Sequence, residues 1–106
     1  MQNTDNFLET VRGKNRETIE LLFKNMSNKE SKVEVYEKRW LELSREDEMN
    51  ASIGVCKFTQ GELVSERLIL CAHGEEKTLT ITFDCSLGKS EEIIKLARDM
   101  FKSWKN

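Results

Sequence analysis

The hydrophobic pattern is densest between Ile53 and Cys85. Three short segments, SIGVCKF, LVSERLILCA and KTLTITFD, alternate apolar and polar positions there and are separated by turn-forming residues around Gly61 and Gly74. That period of two predicts three strands of an antiparallel meander. With Gly74-Glu75 as a two-residue turn, Cys71 faces Thr78, Leu70 faces Leu79, Leu68 faces Ile81 and Glu66 faces Phe83. With Gln60-Gly61 as the first turn, Phe58 faces Leu63 and Cys56 faces Ser65. Side-chain parity then sorts the residues onto two faces. Face one carries Ile53, Val55, Val64, Leu68, Leu70, Leu79, Ile81, Phe83 and Cys85, and must be covered. Face two is mixed: Cys56, Phe58, Leu63, Ser65, Arg67, Ile69, Cys71, Thr78, Thr80 and Thr82.

Helical patterns lie on either side of the meander. Thr4 or Asp5 can cap a first helix, in which Phe7, Leu8 and Val11 share a side. Gly13 either sits inside one long helix or marks a break, after which Asn15 would be a second cap. Ile19, Leu22, Phe23 and Met26 form an i, i+3, i+4, i+7 stripe. At the other end of the chain, Ser90 is the expected cap of a final helix with Glu91 and Glu92 in its first turn. Its apolar residues, Ile93, Ile94, Leu96, Ala97, Met100, Phe101 and Trp104, fill an arc of about 160°, wide enough to pack on a sheet. This helix is expected to cover face one.

Residues 31–48 admit two readings. Ser31 and Glu34 match a capping box, and Val33, Tyr36, Trp40 and Leu43 follow a helical period. Val33, Val35, Leu41 and Leu43 also alternate, as a fourth strand would, but Glu37 and Arg39 then interrupt the apolar side. The helix is preferred on that mismatch. The stretch Arg45–Glu48 reads as a solvated connection. The expected architecture is a single α+β domain over residues 1–106: N-terminal helices, a three-stranded meander (four strands if 33–43 is a strand) and a C-terminal helix on one sheet face.

Composition narrows the function classes. With 17 Lys and Arg against 19 Asp and Glu, the chain has neither a basic tail nor an acidic arm. It carries no apolar run long enough to span a bilayer and no signal-like N-terminus. An odd cysteine count, three, suits reduced thiols in a cytoplasm. No metal or other cofactor is expected. Cys56, Cys71, His73 and Cys85 are zinc-ligand types, but they lack a close cysteine pair and fall on different faces. Cys71 and His73 share a face, yet two strand positions hold their side chains about 6–7 Å apart, and no third residue is evident to orient the imidazole. Gly88-Lys89-Ser90 echoes the end of a phosphate-binding loop without its first glycine.

Two binding readings remain. Phe58, Leu63, Arg67 and Ile69 on face two, with Tyr36 and Trp40 from the preceding segment, form a candidate contact surface for a protein partner or a second copy. The expected function is therefore a non-enzymatic adaptor, chaperone-like protein or inhibitor, a role common among small viral and bacterial accessory proteins. The alternative is RNA or DNA binding through Lys95, Arg98, Lys102 and Lys105 on the last helix, with Arg12 and Arg16 as a second cluster.

Overall fold

The computed structural model describes residues 4–28 and 30–105, with side chains from Gly13 onward. The elements are α1 (Thr4–Met26), β1 (Val33–Ser44), β2 (Asn50–Gln60), β3 (Leu63–His73), β4 (Thr78–Ser86) and α2 (Ser90–Ser103). The strands pair antiparallel in chain order, and one helix covers each face. The fold is α+β, with N- and C-terminal helices flanking a four-stranded antiparallel sheet.

Both expected hairpins form, each displaced by two residues from the expected pairing. Gln60 pairs with Leu63, so the first loop is Gly61-Glu62, with Gly61 at φ 63°. Phe58 consequently faces Ser65, and Cys56 faces Arg67. The second hairpin closes at His73 and Thr78 around a four-residue connection, in which Gly74 N–H donates to the Lys77 carbonyl at 2.8 Å. Leu70 therefore meets Ile81, Leu68 meets Phe83, and Glu66 meets Cys85. A slip of two equals the side-chain period, so every residue keeps its face.

Residues 33–44 are a strand, which overturns the helical preference. The reason is a bulge. Between Tyr36 and Arg39 the pairing with β2 gains one residue, and Glu37 takes φ 47° there. Val35 pairs with Phe58 and so lies on face two, whereas Leu41 and Leu43 pair with Ile53 and Ala51 and lie on face one. The extra residue inverts the alternation midway, which is why the apolar positions imitate a helical period. Glu37 reaches out to Lys57. Ser31, the expected cap, belongs to the turn before β1, where its N–H donates to the Asn28 side-chain carbonyl.

On face one, Ile53, Val55, Leu68, Leu70 and Ile81 pack against Ile94, Ala97 and Phe101 of α2. The helix is rolled relative to the centre of its apolar arc, so Trp104 is half-buried and Leu96 and Met100 face outward. Ser90 is not the cap. Lys89 holds that position without a side-chain bond, and the buried Ser90 Oγ accepts from Arg39. At the other end of α2, Arg45 donates to the carbonyls of Phe101 and Trp104 while its guanidinium lies 4.9 Å from the Phe101 ring centroid. The Phe101 carbonyl also accepts from the Trp104 N–H at 3.2 Å where the helix ends, and a cation there complements the helix dipole. Asp47 holds the guanidinium in place and raises its pKa through their hydrogen bond. The connection is solvated at Glu46, Asp47 and Glu48, as expected, but Arg45 turns inward from it as a helix clamp.

On face two, α1 runs unbroken through Gly13. The expected contributions of Phe7, Leu8 and Val11 lie outside the described side chains. Ile19 and Phe23 are fully buried against Cys56, Ile69 and Cys71, with Leu22, Met26, Val35 and Trp40 at the margin. Burying each of the two larger side chains stabilises the fold by about 1.5–3 kcal/mol. The closest approach falls at Gly54, where a Cβ would lie 2.7 Å from Ile19 Cγ2 and 2.9 Å from both Phe23 Cε2 and Trp40 Cζ3.

Two glycine substitutions should therefore act with opposite sign. Gly54→Ala should lower unfolding free energy by about 1–3 kcal/mol, because backbone-anchored rings and a helix must move. Gly13→Ala should raise it by about 0.5–1 kcal/mol, since nothing lies within 4 Å of the added methyl and the helix gains propensity. Urea denaturation of the two variants checks both.

Candidate interaction surface

The face-two surface expected from the sequence is largely occupied by the chain itself. Ile69 is buried under α1. Phe58 is only 9% exposed, because the Arg67 guanidinium covers its ring at 5.3 Å and is fixed there by Asp84. The Arg67–Asp84 contact is bidentate, at 2.5 and 2.8 Å, and raises the pKa of the guanidinium. Trp40 is half-buried, 6.2 Å from the Phe23 ring centroid and 5.4 Å from the Arg16 guanidinium. Of the six candidates, Leu63 and Tyr36 remain exposed, and they lie on different strands and different faces. The expected contiguous patch is therefore not present: Phe58 and Ile69 are core.

Polar contacts also hold α1 on this face. Asn15, fully buried and well inside the helix, is a clasp and not a cap. Its Oδ1 accepts from His73 N–H at 3.2 Å and lies 2.6 Å from His73 Nδ1, while its Nδ2 donates to the Asn50 carbonyl at 3.3 Å. Arg16 bonds Glu42 at 2.6 Å, Glu42 also accepts from Ser52 at 2.7 Å, and Lys38 pairs with Glu20.

The same clasp settles the Cys71–His73 geometry. Their side chains approach to 3.7 Å, closer than strand spacing alone implies, because Asn15 draws the imidazole inward. Asn15 is also the third residue that sequence spacing did not reveal. An amide oxygen can only accept, so His73 Nδ1 carries the proton and cannot take one from the thiol. Burial raises the Cys71 thiol pKa further, partly offset by Thr80 and Thr18. Burial also pushes Cys56 up to about 11 and raises Cys85, to which the nearby negative charges of Glu66, Asp84 and Glu92 add. All three thiols are therefore protonated, weak nucleophiles near neutral pH. Among the described residues, no three His, Cys, Asp or Glu side chains converge on a common point. Glu66 is buried on face one, where its carboxylate accepts from Gly88 N–H at 3.5 Å.

A different surface is open. On α2, Leu96 is 48% and Met100 42% exposed, with Leu87 exposed just before the helix. Glu91 and Ser90 face β1 through Arg39. Leu96 and Met100 lie about 140–180° round the helix from Glu91, so they overhang the β4 side. Half-buried Leu79 and Phe83 of β4 and Ile93 of α2 lie on the same flank of the face-one core. Beneath them, β4 is the last strand of the sheet, and only Asp84 is charged in its nine residues. The sequence carried this signal in the breadth of the α2 arc, which exceeds what a narrow sheet face can cover.

Of the basic candidates, Lys95, Arg98 and Lys102 are exposed on the opposite flank of α2, and Lys105, also exposed, lies beyond the helix end at Ser103. Arg16 is committed to Glu42 and Trp40, and Arg12 lies outside the described side chains. No described helix is long and apolar enough to cross a membrane. No protein-family model matches the chain, and neither a curated protein nor a solved structure is significantly similar to it.

His73, the one histidine of the chain, gives a clean pH test. Burial, and secondarily the charge of Lys14, hold its pKa below the ordinary 6.5. The unfolded state then binds more protons, so stability rises with pH. The contribution is fully present above about pH 6.5 and is lost as pH falls from there through the folded value. Urea midpoints should drop between pH 7.5 and 5.5, and His73→Asn should flatten the profile. Parallel profiles for the two proteins would contradict the assignment.

Proposed function

We propose that the chain is a non-catalytic protein-binding module, an adaptor or inhibitor, that docks through the exposed flank of α2 and the adjoining edge of β4. The observation that carries this reading is the pair Leu96 and Met100, held outward by the roll of α2 beside an almost uncharged strand edge. Exposed apolar side chains set next to unpaired backbone donors and acceptors suit strand addition, in which main-chain bonds supply affinity and the apolar flank supplies selectivity. The protonated thiols and the inward-committed imidazole support a non-catalytic role.

The test is capture from the native source with wild type and with Leu96→Glu/Met100→Glu as baits. The double variant should lose at least tenfold of any stoichiometric partner while its circular dichroism stays unchanged, since both side chains are exposed. Undiminished capture by the variant would refute the reading.

Nucleic-acid binding is a second reading, favoured by one observation. Lys95, Arg98 and Lys102 are exposed along one side of α2, Lys105 is exposed just past its end, and none of the four forms an ion pair among the described residues. It entails association with RNA or DNA that weakens steeply with salt and is lost in Lys95→Glu/Arg98→Glu/Lys102→Glu. Fluorescence anisotropy at low salt measures it, and no binding there ends the reading.

A further inference from the structure

We infer that the occupant of the α2–β4 surface is a second copy of this chain, joined through antiparallel pairing of the two β4 strands into a continuous eight-stranded sheet. This rests on the docking reading above and names its partner.

The two edges of the sheet are unlike. β1 carries Glu34, Glu37, Lys38, Arg39 and Glu42 and is bent by the bulge at Glu37, features that discourage strand addition. β4 runs Thr78–Ser86 in unbroken register with β3, without bulge or proline, and turns exposed Thr78, Thr80 and Thr82 to face two. Charge and parity then select a self-pairing register. In a two-fold arrangement centred on Thr82, the threonine meets its own counterpart, Ile81 meets Phe83 of the second copy, and Leu79 meets its Cys85. Asp84 meets Thr80, so no like charges oppose each other, and threonine pairs and aromatic–aliphatic pairs stabilise antiparallel strands. A two-fold axis normal to the sheet keeps face one continuous across the junction. Both α2 helices therefore lie on the same side.

Distances agree. α2 lies mainly over β3 and β4 and also touches β2. Strands about 4.8 Å apart place the two α2 axes roughly 10–13 Å from each other across the junction. That meets or exceeds the roughly 8–10 Å of closely packed helices, a gap that long side chains such as Leu96 and Met100 can fill. Nine paired residues span about 30 Å, and the sheet and helix layers together are about 20 Å deep. The contact would bury on the order of 1,200 Å² in total, the lower bound of specific interfaces.

Sedimentation equilibrium of the whole chain tests the pairing. Wild type should sediment at twice the 12.4 kDa chain mass at concentrations of about 10–100 μM. Thr82→Lys places like charges across the axis, and Leu96→Glu places a charge between the helices. Both sites are exposed in the single chain, so each variant should fold, verified by an unchanged circular dichroism spectrum and urea midpoint. Each should weaken dimerisation at least tenfold. A wild type that is monomeric at about 100 μM, or a dimer indifferent to both substitutions, overturns the inference. The docking reading falls separately, on undiminished capture by Leu96→Glu/Met100→Glu, so the two failures are distinguishable.

Discussion

The structure depends on a place where a side chain is missing. Gly54 lies near the middle of the sheet, between Trp40 on β1 and Ile69 on β3, and the hydrogen at its Cα leaves the room that Ile19 and Phe23 occupy. A sheet of four strands has little area on either face, and a helix held off by even one methyl group would lose dispersion contacts along much of its length. With Gly54 the helix settles close enough for Asn15 to reach His73 and Asn50 and for Arg16 to reach Glu42. Apolar fit at the centre thus positions the polar contacts at the ends, and the second face of the sheet becomes core.

Each helix is secured by a different kind of interaction. α2 is clamped by Arg45, which reaches from the turn after β1 to the last carbonyls of the helix. α1 has no such terminal clamp among the described residues and relies on a buried amide. Asn15 satisfies three groups at once, the imidazole and amide N–H of His73 and the carbonyl of Asn50. A buried amide of this kind also specifies position, because sliding the helix by one turn would leave all of them without partners.

Much of this was legible in the chain, and the rest was hidden for physical reasons. Face assignments survived although both hairpin registers were displaced, because the displacement equalled the period of a strand. The bulge in β1 was hidden because an odd insertion inverts alternation midway, and Val33, Tyr36, Trp40 and Leu43 then imitate a helix. The role of Asn15 was hidden because it depends on His73, 58 positions away, and local spacing offers only capping for an asparagine after a glycine. Coverage of Phe58 depended on Arg67, which read as a member of a binding patch and instead lies over the ring. The breadth of the α2 apolar arc was legible, but its division into a buried part and an exposed flank follows from where Arg39 and Arg45 pull the helix.

The unlike edges of the sheet have a consequence for how large any assembly can become. Were both margins receptive, each added subunit would present a fresh margin, and growth would run on as a fibre. Here the kinked, charged margin of β1 discourages extension, so a strand laid along β4 would exhaust the capacity for it. Pairing confined to one side would convert the hazard of polymerisation into an object of fixed size.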